Sequence, residues 1–411
     1  MKTKIIRIST VPISLNILLK GQLKFLSKKF EIIGLSSQGN DLIEVGKREE
    51  IKTISVDMER GISPFKDLIS LFKLYSQFRK EKPTIVHSIT PKAGLLTMLA
   101  GKMAGVPIRM HTFTGLIFPN RTGLLQKLLI KMDQLLCWAA TNIYPEGNGV
   151  KDDLIKFKIT SKPLKVLANG NVNGIDLEFF SPAQISPEKQ EQLKQELKIN
   201  ENDFVFIFVG RLVGDKGINE LVEAFQKLEI RDQKLGISSE PQISSLQSPI
   251  SNSQSRIPKL LLVGPLESEL DPLKEETLKE IENNENIISV GFQKDVRSYF
   301  AIANALVFPS YREGFPNVVI QAGAMELPSI VSDINGCNEI IVEGKNGTII
   351  PVKDTDSVLH AMQKLMVDKD YYLRLKNNAR TLIQERYEQS VVWDALLDEY
   401  NSLINKLETR N

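Results

Sequence analysis

Short apolar runs alternate with stretches of helical periodicity along the whole chain, and this alternation limits the fold more than any other feature. The runs are almost entirely apolar, which is typical of parallel strands that helices cover on both faces. One sheet of thirteen such strands would be unusually large, so we predict two Rossmann-like, doubly wound α/β domains. The predicted strands span residues 4–10, 30–36, 51–57, 84–88, 108–113, 142–146, 165–169, 204–209, 260–264, 286–291, 305–310, 329–333 and 347–352.

A turn-rich segment at residues 173–182 is the predicted boundary between the domains. We therefore expect an N-terminal domain at residues 1–180 and a second domain at residues 181–388. Residues 389–411 are predicted to form a C-terminal helix that packs back toward the N-terminal domain. Residues 231–257 are rich in Ser, Gln and Pro and lack an apolar period, so they are predicted to be a mobile surface insertion.

Composition excludes several classes of protein. Two cysteines, Cys137 and Cys337, cannot form a disulfide framework, and three histidines leave too few soft ligands for a zinc site. No signal peptide and no run of about 18 uncharged apolar residues is present, so the sequence predicts a cytoplasmic protein, or one bound to a membrane from its cytosolic face.

The charges divide unevenly between the predicted domains. Residues 1–180 hold 27 Lys and Arg against 15 Asp and Glu, whereas the other 231 residues hold 25 against 35. Two helical segments of the basic half, residues 64–82 and 124–138, are predicted to carry Leu, Ile and Phe on one face and Lys or Arg on the other, as helices that lie on anionic lipid do. Such helices can equally pack on a core, but the charge favours peripheral membrane contact. We expect no nucleic-acid partner.

The segment at residues 310–325 is the most informative for function. A buried strand ends at Ser310, and a helix begins near Pro316, a residue suited to the first helical turn. The backbone amides of Asn317, Val318 and Val319 would then be unpaired at the positive end of the helix dipole, which is an anion site. The alternative is an ordinary strand–loop–helix junction.

A second segment, residues 204–217, supplies cations at the end of another strand. Gly210 and Arg211 close the strand, and Lys216 and Gly217 precede a helix. Two cations at this edge can neutralise a diphosphate, and the glycines permit close backbone approach. The spacing does not match the phosphate loop G-x-x-x-x-G-K-[ST], and each motif alone is a weak signal.

Together these segments resemble the retaining, nucleotide-sugar-dependent glycosyltransferases of family 4, whose two Rossmann-like domains face a cleft in the GT-B architecture. Arg211 and Lys216-Gly217 match the basic pair that the family uses for the donor diphosphate. Glu313 matches the first Glu of the E-x7-E motif, and the second falls on Gln321, which can still hydrogen-bond a ribose. The resemblance extends through residues 85–115, a segment typical of bacterial polysaccharide members.

The resemblance implies transfer of a hexosyl or N-acetylhexosaminyl group from a nucleotide-diphosphate sugar, UDP-linked in our interpretation, with retention. The implied acceptor is a polyprenyl-diphosphate-linked or other oligosaccharide, in capsule, O-antigen or other cell-surface polysaccharide assembly. No cofactor and no metal are expected, because Asp354-Thr355-Asp356 precedes a helix and is typical of a cap. The implied catalytic residues are Glu313, Arg211 and Lys216, and the implied donor-binding residues are Gly210, Phe315, Pro316, Asn317, Val318 and Gln321.

Candidate acceptor residues lie in the first domain. The family's active-site histidine falls on Thr114, and His111 lies three residues earlier, where a structural imidazole is the alternative. Lys92 could meet an anionic acceptor. The departures at Thr114 and Gln321 leave open a non-catalytic sugar-binding subunit. A UDP-sugar 2-epimerase is a further alternative, and a dinucleotide oxidoreductase is disfavoured because G-x-G-x-x-G is absent.

Overall fold

The computed structural model describes residues 2–59, 61, 63–237, 256–267, 269 and 271–409. The chain divides into two compact units: an N-terminal unit of Met1–Gly174 with Arg386–Asn411, and a second unit of Ile175–Glu385. The predicted limits, 180 and 388, lie a few residues downstream of both divisions. The reason is local: Arg380 donates hydrogen bonds to the carbonyls of Leu177 and Phe180, both at 2.8 Å, and so holds that segment in the second unit.

The N-terminal unit contains a parallel sheet in the order β3-β2-β1-β4-β5-β6 with helices between consecutive strands. The strand order reverses between β1 and β4, as in doubly wound folds. Its elements are β1 (Lys4–Ile8), α1 (Pro12–Leu18), α2 (Gln22–Ser27), β2 (Glu31–Ser36), α3 (Asn40–Glu49), β3 (Lys52–Ser55), α4 (Pro64–Glu81), β4 (Ile85–Ser88), α5 (Pro91–Ala104), β5 (Ile108–Phe113), α6 (Gly123–Ala139), β6 (Asn142–Pro145) and α7 (Asn148–Lys156).

The second unit contains a parallel sheet in the order β12-β11-β10-β7-β8-β9, which reverses between β7 and β10. Its elements are α8 (Pro187–Glu196), β7 (Phe204–Val209), α9 (Ile218–Ile237), β8 (Pro258–Val263), α10 (Glu275–Asn283), β9 (Ile287–Ser289), α11 (Arg297–Ala301), β10 (Ala305–Phe308), α12 (Asn317–Ala324), β11 (Ser329–Ser332), α13 (Cys337–Ile340), β12 (Gly347–Ile350), α14 (Thr355–Val367) and α15 (Lys369–Tyr387).

The last helix, α16 (Gln389–Glu408), belongs to the N-terminal unit. Its Leu396 and Tyr400 are buried in the hydrophobic core beside α1, α2 and the sheet. The hydroxyl of Tyr400 accepts a hydrogen bond from Arg7 at 3.0 Å and lies 2.7 Å from Nδ1 of His87. A polar network in the core therefore joins the end of the chain to β1 and β4.

The predicted strand at residues 165–169 is wrong. A single bridge pairs Leu164 with Ile143 of β6, and no ladder follows within this described segment. Ala168 and Asn171 have left-handed φ values of 47° and 67°, which interrupt an extended backbone. The other twelve predicted strands are present, with ends that differ by a few residues.

The predicted insertion begins too early, because α9 continues through Ile237. Most of the segment for which we predicted mobility, residues 238–255, lies outside the described residues. None of the helices in the described part of the chain is both long enough and apolar enough to span a bilayer.

Candidate active site

The three predicted catalytic side chains follow strands β7 and β10, where the order of the second sheet reverses. Arg211 and Lys216 lie in the loop after β7, and Glu313 lies in the loop after β10. Parallel α/β sheets bind ligands beyond the carboxyl ends of their strands at such a reversal. Both loops belong to one unit, so its sheet alone fixes this part of the site.

Lys216 and Glu313 form an ion pair between Nζ and Oε1, with only 16% and 18% of their side chains exposed. The Oγ of Ser310 donates a second hydrogen bond to the same carboxylate oxygen at 3.0 Å. The structure thus brings together two predicted residues that lie almost a hundred positions apart in the sequence. The pair holds a cation and a carboxylate side by side, an arrangement suited to a ligand that carries both phosphate and hydroxyl groups.

Arg211 is paired with a residue that the sequence analysis missed. Its Nη1 lies 2.9 Å from Oε2 of Glu267, which follows β8, and both side chains are partly exposed. A diphosphate that binds Arg211 must compete with this carboxylate. The sequence contained a signal for this contact, because Glu267 is an acidic residue just after a strand and so lies at the same edge of the parallel sheet as Arg211.

Two further acidic residues, also missed, fix the loop that carries Lys216. The Asp215 carboxylate accepts hydrogen bonds from Arg312 at 2.7 and 3.1 Å, which ties this loop to the loop after β10. The Asp271 carboxylate accepts the backbone N–H of Asp215 at 2.5 Å, which ties it to the loop after β8. Gly217 has φ 72°, and a Cβ there would lie 2.1 Å from the carbonyl oxygen of Pro309. Only glycine fits this close approach.

The start of α12 differs in detail from the prediction. Pro316 precedes the helix as its N-cap, and the amide of Val319 is not unpaired, because it donates to the Pro316 carbonyl at 3.1 Å. Phe315 is buried under this turn, and Gln321 is half-buried one turn along α12. Asn317 and Val318 begin α12, so their backbone amides lie at the positive end of its dipole and are the candidates for contact with an anion.

The thiol of Cys337 lies in the second unit and is not a reactive nucleophile. Burial raises the pKa of Cys337 well above its usual value, and the negative charge of Glu313 adds to the effect. The thiol therefore stays protonated at neutral pH and packs as an apolar group.

Asp354 is an N-cap, as predicted. Its carboxylate accepts the backbone N–H of Ser357 at 3.0 Å and lies 2.7 Å from the Ser357 hydroxyl. Asp356 instead points to Lys227, at 3.3 Å. Among the described residues, no three His, Cys, Asp or Glu side chains are grouped as a metal site.

In the N-terminal unit, His111 is a core residue. It is 1% exposed, its Nδ1 lies 2.8 Å from the Ser88 hydroxyl, and a Cβ at Gly94 would lie 2.4 Å from its Cε1. Burial lowers the pKa of His111 to about 3, so the ring is neutral. No acceptor can reach this imidazole without repacking of α5, and we remove His111 from the acceptor-side candidates.

Lys92 and Thr114 are both held by neighbouring groups. Lys92 is paired with Asp67 at 2.7 Å and is largely buried, so its charge is already neutralised. The Thr114 hydroxyl donates to the Ile89 carbonyl at 3.0 Å. Lys92 follows β4 and Thr114 follows β5, so both lie near the carboxyl ends of these strands. Neither side chain is free, and Lys92 is therefore not the anion-binding group that the sequence analysis expected.

A pocket of about 290 Å³ lies at the point where the order of the first sheet reverses. Its walls come from the segments after β1, β4 and β5 and from α6, and most of its surface is apolar. Lys92 lines it, as does Asp133 of α6, which the sequence analysis did not select. The fold thus places one candidate site at the same position of each sheet.

The chain matches two family models, "Glycosyl transferases group 1" at residues 189–382 and "Glycosyl transferase 4-like" at residues 11–146. It aligns with a glycosyltransferase crystal structure from Rickettsia africae ESF-5 at a TM-score of 0.78 and 19% identity, over 98% of this chain and 99% of that one. Two six-stranded parallel sheets and these similarities define a glycosyltransferase with the GT-B fold.

The sequence relatives narrow the class to a family. The capsular polysaccharide biosynthesis glycosyltransferase CapM of Staphylococcus aureus is 32% identical over 98% of each chain. The UDP-Gal:alpha-D-GlcNAc-diphosphoundecaprenol alpha-1,3-galactosyltransferase of Escherichia coli is 29% identical over 77% of this chain and 75% of its own length. The chain belongs to glycosyltransferase family 4.

Proposed function

We propose that the protein transfers a hexosyl or N-acetylhexosaminyl group from a UDP-sugar to a polyprenyl-diphosphate-linked acceptor, with retention, in cell-surface polysaccharide biosynthesis. The observation that carries the proposal is the Lys216–Glu313 pair at the reversal of the second sheet, where Lys216 and Arg211 share the loop after β7. The Escherichia coli relative, which uses UDP-Gal and a diphosphoundecaprenol-linked acceptor, supports this choice of donor and acceptor.

In the proposed reaction, Lys216 and Arg211 stabilise the negative charge that develops on the leaving diphosphate. The amides of Asn317 and Val318, at the start of α12, add to this stabilisation. Glu313 accepts hydrogen bonds from hydroxyls of the donor sugar and fixes its orientation. Since cations already supply the positive charge at the diphosphate, the proposed reaction needs no metal ion.

Gln321 stands where the family motif has its second Glu. Its side-chain amide can both donate to and accept from a ribose hydroxyl, whereas a carboxylate only accepts. We therefore assign Gln321 to the ribose. The acceptor would bind in the apolar pocket of the N-terminal unit, at the equivalent position of the other sheet.

The transfer assay combines UDP-Gal, UDP-Glc, UDP-GlcNAc or UDP-GalNAc with GlcNAc-diphosphoundecaprenol and measures the product by mass spectrometry. We expect transfer from at least one donor, with an α-linked product, and unchanged turnover in EDTA. Release of UDP together with a 2-epimerised sugar, and no glycosylated lipid, would show an epimerase. Donor binding without turnover on any acceptor would show a binding subunit. Loss of activity in EDTA that Mg²⁺ or Mn²⁺ restores would refute metal independence.

We further propose that the N-terminal unit lies on the inner face of the cell membrane. The apolar residues of α4 are not confined to one face: Leu74 and Phe78 are buried, while four others form an exposed stripe. A second exposed apolar stripe follows α6, and lysines flank both. Apolar side chains of this kind enter the lipid interface while cations meet anionic headgroups. The residues of the two stripes are Phe65, Leu68, Ile69 and Phe72 on α4 and Leu124, Leu128, Leu135 and Trp138 on α6; Leu125 of α6 is exposed as well.

Replacing Phe65, Leu68, Ile69 and Phe72 by Ser should reduce binding to anionic vesicles more than tenfold, because each buried apolar side chain contributes about 1.5–3 kcal/mol. Flotation with phosphatidylglycerol-containing and neutral vesicles, at low and high salt, measures the effect. The matched control is replacement of Val367 and Leu373, exposed apolar residues of the second unit, by Ser. Equal recovery of wild type on neutral and anionic vesicles would contradict the electrostatic part of the proposal.

A further inference from the structure

The apolar pocket of the N-terminal unit contains one ionisable side chain that the fold does not neutralise. Lys92 also lines the pocket, but it is paired with Asp67. Asp133 is half-buried on α6, and the described part of the chain supplies no ion pair or hydrogen bond to its carboxyl group. Its neighbours in the wall include Leu129 and Met132, which cannot hydrogen-bond it.

Burial against these walls raises the pKa of Asp133 to about 7. A titratable neighbour on the same helix is Cys137, one turn further along α6. Burial, with a contribution from Asp133, raises the pKa of Cys137 to about 12, so its thiol stays neutral and gives no compensation. Lys162 caps the end of α6 by donating to the Cys137 carbonyl at 2.6 Å. Asp133 is therefore a carboxyl group held in an apolar site at a cost to stability.

A carboxyl group kept in such a position commonly serves a ligand. We propose that Asp133 selects the acceptor: its carboxylate accepts a hydrogen bond from a hydroxyl group of the acceptor sugar, whose apolar face packs against Leu95, Leu129 and Met132. This inference rests on the proposed function, because it assigns the acceptor to this pocket. It makes Asp133 a specificity residue, since an acceptor without that hydroxyl leaves a buried carboxylate unpaired.

The KM for the acceptor substrate should depend on pH, because the ionised carboxylate of Asp133 accepts hydrogen bonds better than the protonated acid. As the pH falls below about 7, Asp133 becomes protonated, and the KM for the acceptor should rise while the KM for the donor stays constant. An Asp133→Asn variant keeps an acceptor oxygen but does not titrate, so its acceptor KM should not vary with pH in this range.

Stability gives a second readout that needs no ligand. An acid with a higher pKa in the folded than in the unfolded protein binds more protons when folded, so stability falls as the pH rises from about 4 to about 7. Asp133→Leu should therefore raise the midpoint of thermal unfolding by about 2–4 °C at pH 8, and by a smaller amount at pH 5, where only part of the cost is present. A residue that merely holds the fold together would give the opposite sign.

The experiment measures initial rates with UDP-sugars and GlcNAc-diphosphoundecaprenol, and thermal unfolding at pH 5 and pH 8. The variants are Asp133→Leu, Asp133→Asn and the control Asp152→Asn, an exposed acid on α7. We expect Asp133→Leu to raise the acceptor KM at least tenfold with an unchanged donor KM, and the control to match wild type. An acceptor KM within twofold of wild type, or a lower unfolding midpoint at pH 8, would overturn the assignment.

Failure of the proposed function would give a different result from failure of the Asp133 assignment. In that case the wild type consumes no UDP-sugar with this acceptor, and the unfolding data still decide whether Asp133 is a destabilising, titrating group. A midpoint that rises at pH 8 in Asp133→Leu then supports a ligand-binding carboxylate in this pocket, and a midpoint that falls rejects it.

Discussion

Replacing Lys216 by alanine should lower the rate of sugar transfer about a hundredfold, because it removes the cation that the proposed reaction places at the leaving diphosphate. Loss of one such preorganised contact costs on the order of 3 kcal/mol of transition-state stabilisation. The effect should fall on kcat more than on the donor KM, since the charge on the diphosphate grows as the bond to the sugar breaks. Steady-state kinetics with the best UDP-sugar, at saturating acceptor, measures both constants.

The Lys216–Glu313 ion pair requires a control for structure, because Lys216→Ala also leaves the partly buried Glu313 carboxylate without its partner. Lys227→Ala removes a lysine of the same unit that is paired at the surface with Glu223 and Asp356. This control should retain full activity. If Lys216→Ala keeps its thermal midpoint and turns over within threefold of wild type, Lys216 is not part of the mechanism.

The candidate site of the second unit was accessible to sequence reasoning, because Lys216 and Glu313 each follow a predicted strand and match a motif of the family. The structure adds that β7 and β10 lie side by side, so the residues after them meet at one edge of the sheet. Glu267 was missed although its place after β8 puts it at the same edge of the sheet. Asp271 was missed because its contact with the Asp215 amide depends on the path of the loop after β8. Strand patterns do not contain this information.

The candidate site of the N-terminal unit could not be predicted as well. His111 and Lys92 were selected for their chemistry. In the structure, His111 is buried against Gly94, and the charge of Lys92 is neutralised by its ion pair with Asp67. The sequence did not single out Asp133, because one Asp in an amphipathic helix is ordinary. The apolar residues that surround Asp133 come partly from three other segments of the chain. The helical period of residues 64–82 predicted α4. It did not predict that α4 has apolar residues on two faces, or that only one of these faces is buried in the N-terminal unit.

The polar network around Tyr400 joins the last helix to the core of the N-terminal unit. Tyr400→Ala should destabilise this unit by about 3–5 kcal/mol through the lost ring. A further cost of about 1–3 kcal/mol follows because Arg7 and His87 lose a buried hydrogen-bonding partner. Against a typical total of about 5–15 kcal/mol, this loss should leave the unit marginally folded or unfolded at 37 °C.

Calorimetry with and without UDP tests this expectation. Under the proposed function, UDP binds the second unit, so the transition that UDP shifts upward reports that unit. Tyr400→Ala should move the other transition, Tyr400→Phe should move it less because it keeps the ring, and exposed Asn401→Ala should leave it in place. A Tyr400→Ala protein with both transitions at their wild-type midpoints would show that α16 adds no stability to the core in which its tyrosine lies.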